Sequence, residues 1–176
     1  MPILTLVPPD SPMLRKTRLV TADELSDDYF WTFVRFMKEF AAENKLLGLA
    51  ANQVGADKRF FIMNMKAKNE EAQHNRYIGV EKPDYRLFVN PFVTVSIYGY
   101  AEEDWEACAS LPNITAKVKR ANLIKLDFYS RLAKIDYGDK LQLRGYLARI
   151  AQHEVDHLDG ILITDIAKKI VKGYAE

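Results

Sequence analysis

The spacing of apolar residues along the chain predicts two amphipathic helices. The first helix ends near Asn44, and its apolar residues recur at the i, i+3, i+4, i+7 spacing of one helix face: Phe30, Phe33, Val34, Met37 and Ala41. Thr21 and Glu24 form a capping-box pattern, which predicts that a helix begins there or slightly later. The second helix ends at Gly160, and its apolar face is made of Tyr146, Leu147, Ile150, Ala151, Val155 and Leu158.

Shorter apolar runs, rich in β-branched and aromatic residues, predict strands between and around these helices. They cover residues 58–65, 87–89, 93–97 and 117–129. The polar stretch 66–84 predicts a loop, Gly138 and Asp139 predict a turn, and the lysine-rich end around Lys168 predicts a fraying C-terminal helix. Strands before, between and after two helices, without regular βαβ alternation, favour an α+β fold.

The composition limits the classes of protein to consider. The 176 residues, of which 48% are hydrophobic and 28% charged, predict a single domain over residues 1–176 with a real core. A formal net charge of +1 argues against a DNA-binding protein, and no apolar run is long enough to span a membrane. The single cysteine, Cys108, excludes an intramolecular disulfide and fits a reducing, intracellular compartment.

The strongest chemical signal is the H-E-x-x-H pattern from His153 to His157 on the second predicted helix. Residues four apart on a helix lie on the same face, so two imidazoles spaced in this way can hold one metal ion. Glu154 would lie next to them, placed to exchange protons with a water molecule at the metal. A structural pair of histidines is the alternative interpretation of this motif taken alone.

A catalytic metal ion needs three protein ligands, and the third one is not obvious. In the metzincin pattern Gly160 fits, but Ile163 stands where the third histidine is required. The thermolysin-like pattern requires a downstream glutamate, and only the terminal Glu176 remains. Cys108 is the best remaining candidate, and a His₂Cys set suits zinc, iron, nickel or cobalt. Alternatively, Cys108 is a small buried apolar residue.

Three segments, in order along the chain, resemble the motifs of the peptide deformylase family. Residues 152–157 match its Gln-His-Glu-x-x-His motif, residues 106–110 resemble its Glu-Gly-Cys-Leu-Ser motif, and residues 46–55 are similar to its Gly-apolar-Gly-apolar-Ala-Ala-x-Gln motif. Weaker similarities, including Asn90 and Pro91, extend the resemblance from about residue 3 to residue 165. The resemblance implies a fold in which antiparallel or mixed sheets surround a central H-E-x-x-H helix.

The resemblance implies a hydrolase that removes the N-formyl group from N-formylmethionyl peptides of nascent proteins and releases formate. Cys108, His153 and His157 would hold the metal ion, which is Fe(II) in the family and is replaceable by Zn(II), Ni(II) or Co(II). A water molecule on that metal would attack the formyl carbon. Glu154 would act as the general base and then as the general acid.

Further residue roles follow from the same resemblance. The side-chain amide of Gln53 and the backbone N–H of Ala109 would donate hydrogen bonds to the formyl oxygen as it gains charge. Glu106 and Asp156 would support the metal ligands. Residues expected to contact the substrate are Leu47, Gly48, Ala107, Tyr146, Arg149 and Ile150.

The chain departs from the family motifs at positions that bear on the substrate. Leu46 and Ala107 replace glycines, and Ala109 replaces a leucine. Arg149 stands where the family usually has an apolar residue of the methionine pocket. We expect its side chain either to reach solvent or pair with an acid, or to restrict the pocket.

These departures leave several functions open. The first is a peptide deformylase, the second a deformylase-like amidohydrolase with a shifted acyl-amine substrate, and the third a non-catalytic protein of the same fold that binds a metal or a partner. An H-E-x-x-H endopeptidase lacks a third ligand. Lys117, Lys119 and Arg120 form a basic cluster that is either a solvated face or a contact for ribosomal RNA.

The expected partners and compartment follow from the resemblance to peptide deformylases. The substrate would be nascent formyl-methionyl peptides, with a contact at the ribosome exit region as a further expectation, and we expect neither a DNA nor a membrane partner. We also expect a monomer. The compartment would be the cytoplasm of a bacterium or of a phage-infected cell, or a mitochondrion or plastid if a presequence has been removed.

Overall fold

The computed structural model describes residues 4–68, 83–129 and 139–173. Most of the predicted loop 66–84, and Gly138 of the predicted turn, lie outside these residues. Among the described residues, no helix is long and apolar enough to cross a membrane.

Four α-helices form within the described residues: α1 at Ala22–Ser26, α2 at Asp28–Glu43, α3 at Gly145–Leu158 and α4 at Ile163–Ile166. The capping box predicted at Thr21 is confirmed, since its hydroxyl accepts from the Glu24 N–H and the Glu24 carboxylate accepts from the Thr21 N–H. It opens the short helix α1 rather than the long one. Asp27 caps α2 separately by accepting from the Tyr29 N–H.

The strands are β1 at Gly48–Ala50, β2 at Phe60–Asn64, β3 at Tyr85–Val95, β4 at Ala101–Cys108, β5 at Leu111–Ala121, β6 at Leu123–Tyr129, β7 at Asp139–Arg144 and β8 at Lys169–Lys172. They form one sheet in the order β1-β2-β3-β6-β7 and another in the order β4-β5-β8. Every ladder between these strands is antiparallel.

Two strand predictions and one helix prediction need correction. Residues 87–89 and 93–97 do not form two strands: 87–89 and 93–95 belong to β3, which shifts register between Val89 and Phe92. The run 117–129 is divided between β5 and β6, because the chain passes from one sheet to the other at Asn122. There the Asn122 side chain accepts from the Tyr100 N–H at 2.9 Å. The predicted C-terminal helix is wrong, since Lys169–Lys172 pair with β5 as an edge strand.

Helix α3 packs against both sheets, with its apolar face toward the larger one. Strand β2 is buried on both faces and divides the core in two, since successive side chains of a strand point to opposite faces. Phe61 and Met63 pack on the α3 side, whereas Phe60 and Ile62 pack on the α2 side. The expected α+β fold, with sheets around the H-E-x-x-H helix, is confirmed.

Gly160 determines how the chain leaves α3. Its φ of +74° lies in the left-handed region, and a Cβ at this position would lie 2.7 Å from the Arg15 carbonyl oxygen. The absent side chain therefore lets the N-terminal segment cross the end of the helix. The Thr17 hydroxyl stabilises this arrangement by donating a hydrogen bond to the Leu158 carbonyl at 2.6 Å.

Candidate active site

The two histidines of α3 meet Cys108 at the end of β4. The ligand atoms of Cys108, His153 and His157 all lie within 4.8 Å of one another. The Cys108 Sγ and His157 Nε2 atoms are 3.2 Å apart, and both residues are buried. Strand β4 shifts register between Ala107 and Cys108, a bulge-like irregularity of the kind that re-aims a side chain at a strand end.

The chemistry of this cluster fits a divalent metal ion. Burial raises the pKa of the Cys108 thiol, but the imidazoles of His157 and His153 outweigh that effect and hold the pKa well below its usual range. A thiolate and an imidazole nitrogen on one tetrahedral zinc ion would lie about 3.5 Å apart, given Zn–S near 2.3 Å and Zn–N near 2.0 Å. The separation of 3.2 Å between Cys108 and His157 is close to that value.

Glu106 lies behind His153, on the side away from the cluster. Its Oε2 atom is 2.9 Å from His153 Nδ1, an arrangement that orients the ring and leaves Nε2 for the cluster. Burial raises the pKa of the Glu106 carboxyl, but hydrogen bonds from His153 and Arg120 outweigh it and lower the pKa below its usual range. Glu106 is therefore a charged, fully engaged carboxylate.

Two buried arginines, Arg120 and Arg149, complete the set of groups that surround the Glu106 carboxylate. Arg120 donates to Glu106 Oε1 at 2.9 Å and to Oε2 at 3.0 Å, and it also pairs with Asp156. Arg149 donates to Glu106 Oε1 at 2.8 Å. The expectation that Arg120 belongs to a solvated face is wrong, since it is 6% exposed. The Arg149 side chain pairs with an acid, Glu106, as one of the expectations for it stated, and it does not reach solvent.

Glu154 differs from Glu106 in having few partners. It is 4% exposed, and its Oε2 atom has no hydrogen-bond partner among the described residues. Burial raises the pKa of its carboxyl to about 7, against the opposing effect of the two histidines. A Cβ at position 48 would lie 2.4 Å from Glu154 Oε1, so the glycine there makes room for this carboxylate.

Gln53 lies on the other side of Cys108, in the 3₁₀ turn Ala51–Val54. Its Oε1 atom accepts from the Ala50 N–H at 2.8 Å, and its Nε2 atom donates to Ser110 Oγ at 2.9 Å. The same Nε2 atom is 4.0 Å from Cys108 Sγ. The amide is thus fixed with its N–H side toward the cluster, and Ala109 follows Cys108 in the adjoining turn.

A cavity of about 180 Å³ opens above these residues. Of the site residues expected from the sequence, His157, which is buried, and Asp156 do not line this cavity. The others line it: Leu47, Gly48, Gln53, Glu106, Ala107, Cys108, Ala109, Tyr146, Arg149, Ile150, His153 and Glu154. Strands β1 and β4 flank it, and each is an edge strand of its sheet.

Sequence reasoning missed several residues around the site. Asp104 and Trp105 line the cavity, and Asn52 donates to the His157 carbonyl at 2.6 Å. The alternation of β4 was a usable signal for Asp104, because it shares a face with Glu106 and Cys108. Nothing in the sequence indicated the pairing of Arg120, which depends on the β4–β5 register.

Comparison with known proteins agrees with this geometry. A sequence profile described as Polypeptide deformylase matches residues 3–172. A peptide deformylase of Orientia tsutsugamushi (strain Ikeda) is 33% identical over 179 residues, which cover 98% of this chain and 91% of that protein.

Solved structures give the same result. The Met-Ala-Ser-bound class I type b peptide deformylase of Acinetobacter baumannii superposes with a TM-score of 0.78 and 26% identity, covering 93% of this chain and 98% of that one. A probable peptide deformylase of Synechococcus phage S-SSM7 superposes with a TM-score of 0.75 and 28% identity, covering 93% and 99%. The chain therefore belongs to the polypeptide deformylase family.

Proposed function

We propose that this protein is a metal-dependent peptide deformylase, which hydrolyses the formyl amide of N-formylmethionyl peptides into formate and a free amine. The observation that carries this proposal is the buried cluster of Cys108, His153 and His157 with Glu154 beside it at the floor of a cleft. A purely structural metal site has no use for a buried, unpaired carboxylate next to its ligands.

Cys108, His153 and His157 would hold the metal ion, and Fe(II) is the proposed physiological metal. Zn(II), Ni(II) and Co(II) are the proposed replacements, since one thiolate and two imidazoles suit all four ions. A metal ion bound there supplies a Lewis acid, which lowers the pKa of a coordinated water from about 15.7 toward about 7.

Glu154 takes a proton from the attacking water and delivers it to the leaving amine. Burial raises the pKa of its carboxyl, which favours a group that can hold the proton before passing it on. Gln53 Nε2 and the Ala109 N–H donate to the formyl oxygen as it gains charge. The bond between Gln53 Oε1 and the Ala50 N–H fixes the amide for this task in advance.

The cleft suits an extended peptide with an apolar first side chain. Leu47, Tyr146 and Ile150 offer apolar surface, together with the aliphatic part of Arg149. Edge strands expose backbone N–H and C=O groups, so the backbone of β1 at Gly48 and of β4 at Ala107 is available to pair with the peptide.

Formate release from formyl-Met-Ala-Ser tests the proposal, with protein purified without oxygen and loaded with Fe(II) or Ni(II). Glu154→Ala is the control. We expect turnover in the wild type and none in the variant. Absence of formate from wild-type protein that carries bound metal would contradict the proposal.

A deformylase-like amidohydrolase with a shifted substrate is the second candidate, favoured by Ala107 and Ala109. The Leu46 side chain gives it less support, because it packs into the core beneath α2 rather than only narrowing the cleft. A panel of formyl-, acetyl- and propionyl-Met peptides separates the two. Preference for a longer acyl group would establish the second candidate.

We further propose that the protein acts as a monomer at the ribosome exit region, in a cell or organelle that initiates translation with formylmethionine. The outer face of the smaller sheet carries Lys117, Lys119 and Lys169, which suit the phosphates of ribosomal RNA. Co-sedimentation with ribosomes should weaken when all three become glutamine, and unchanged co-sedimentation would contradict this contact. Equilibrium sedimentation tests the monomer.

A further inference from the structure

Arg149 is buried in a place where its charge needs partners. It is 7% exposed, and its guanidinium donates to Glu106 Oε1 at 2.8 Å, to the Val118 carbonyl at 3.1 Å and to the Glu102 carbonyl at 3.0 Å. Glu102 lies on β4 and Val118 lies on β5. One side chain therefore ties helix α3 to both of these strands.

The carboxylate of Glu106 is saturated by this arrangement. Oε1 accepts from Arg120 Nε and Arg149, while Oε2 accepts from Arg120 and contacts His153 Nδ1. A carboxylate offers about four lone-pair sites, so its orientation is fixed. With Nδ1 of His153 held by this carboxylate, only Nε2 of that ring is left to bind a metal.

The placement of these groups links the strand and the helix that carry the cluster. Glu106 lies two residues before Cys108 on β4, and Arg149 lies one helical turn before His153 on α3. Arg149 and His153 therefore contact the same carboxylate, that of Glu106, from adjacent turns of α3. This contact holds the end of β4, and with it Cys108, at a fixed distance from the helix.

Arg149 also balances the charge behind the cluster. Arg120 is shared between Glu106 and Asp156, so two carboxylates depend on that one guanidinium. Arg149 supplies the second positive charge to this network of four ionised groups. Without it, Glu106 and Asp156 would share the single positive charge of Arg120, and this buried network would carry an excess negative charge.

We propose that Arg149 is a positioning residue, which holds Glu106 so that His153 presents Nε2 toward Cys108 and His157. The inference rests on the proposed function, because it takes the three residues as the metal site. In this role Arg149 fixes the orientation of a metal ligand and supplies positive charge behind it. It does not act by narrowing the substrate pocket.

The test compares the affinity for Co(II) and its visible spectrum in wild type, Arg149→Met and Arg149→Lys. Arg59→Met is the matched control, since Arg59 also donates to an acid, Asp159 at 2.5 Å, and to a carbonyl, yet lies away from the cluster. We expect Arg149→Met to bind Co(II) about 10- to 100-fold more weakly than the control, with a shifted spectrum. Arg149→Lys, which keeps the charge but not the planar fork, should fall between them.

The result that overturns the proposal is a Co(II) affinity and spectrum in both Arg149 variants equal to those of Arg59→Met. A change in KM alone, with metal binding unaltered, would also overturn it and assign Arg149 to the substrate pocket. Melting temperatures of the metal-free proteins show whether Arg149→Met folds, and Arg149→Lys decides the matter if it does not.

Failure of the proposed function is distinguishable from failure of this inference. Wild-type protein that binds Co(II) tightly but releases no formate would remove the deformylase activity and leave the role of Arg149 intact. Wild-type protein that binds no metal would overturn both.

Discussion

Two buried carboxylates, Glu106 and Glu154, lie close to His153, and their surroundings differ sharply. Glu106 has two arginines and an imidazole as partners, and its pKa is below the usual range. Glu154 is also buried, but its Oε2 atom has no hydrogen-bond partner in the part of the chain that the structure describes, and burial raises the pKa of its carboxyl to about 7. A buried acid with every lone pair occupied fixes its neighbours, whereas one with a free oxygen exchanges protons.

The largest effect is expected where proton transfer is removed. Glu154→Gln keeps the shape of the side chain but cannot take or give a proton, so kcat should fall about 100- to 10,000-fold. Folding should not suffer, because the change removes an unpaired buried acid. Steady-state kinetics and a thermal melt check both statements, and a fall of less than tenfold would exclude Glu154 as the acid and base.

Removal of the charge from the other carboxylate should act on stability. Glu106→Gln leaves Arg149 buried without a counter-charge and leaves Arg120 with Asp156 alone, so the free energy of unfolding should fall by about 3–5 kcal/mol. Denaturant unfolding of the metal-free protein measures this loss. A loss below about 1 kcal/mol would show that the network is not a stabilising one.

A methyl group at position 48 should disturb Glu154 without touching Glu106. Gly48→Ala places Cβ where the Glu154 carboxylate lies, and the displaced side chain should cost about 100-fold in kcat. The double variant Gly48→Ala with Glu154→Gln is the control. If Gly48→Ala acts by displacing Glu154, the double variant should have the same kcat as Glu154→Gln alone. A kcat lowered by the product of the two single losses would contradict this explanation.

The smallest effect is expected for an exposed carboxylate on the same strand. Glu103 pairs with Lys168 on the outer face of β4, in contact with solvent. Glu103→Gln should leave stability and kcat unchanged within error, because exposed ion pairs are screened by water and salt. A loss comparable to that of Glu106→Gln would mean that burial is not the cause of the difference between them.

The helical half of the site was predictable from the sequence, because spacing along one helix fixes how side chains align. His153, Glu154 and His157 needed no tertiary information beyond the helix itself. The choice of Cys108 as third ligand came from ligand chemistry and from the family resemblance, and the structure brings it to the same cluster.

The supporting network was not predictable, because it depends on the register between strands. Arg120 reaches Glu106 only because β4 and β5 pair as they do, and Arg149 joins them from α3. The C-terminal lysines were misread for a similar reason. Backbone pairing with β5, which local sequence does not reveal, makes Lys169–Lys172 a strand.

The most direct test asks whether Glu106 positions a metal ligand and Glu154 transfers protons. It measures the metal content of wild type, Glu106→Gln and Glu154→Gln after dialysis against the same weak chelator. We expect Glu154→Gln to retain its metal as the wild type does, and Glu106→Gln to lose most of it, because a neutral amide holds His153 less firmly than a carboxylate does. Equal retention by Glu106→Gln and the wild type, or loss of metal from Glu154→Gln, would contradict the roles assigned to the two carboxylates.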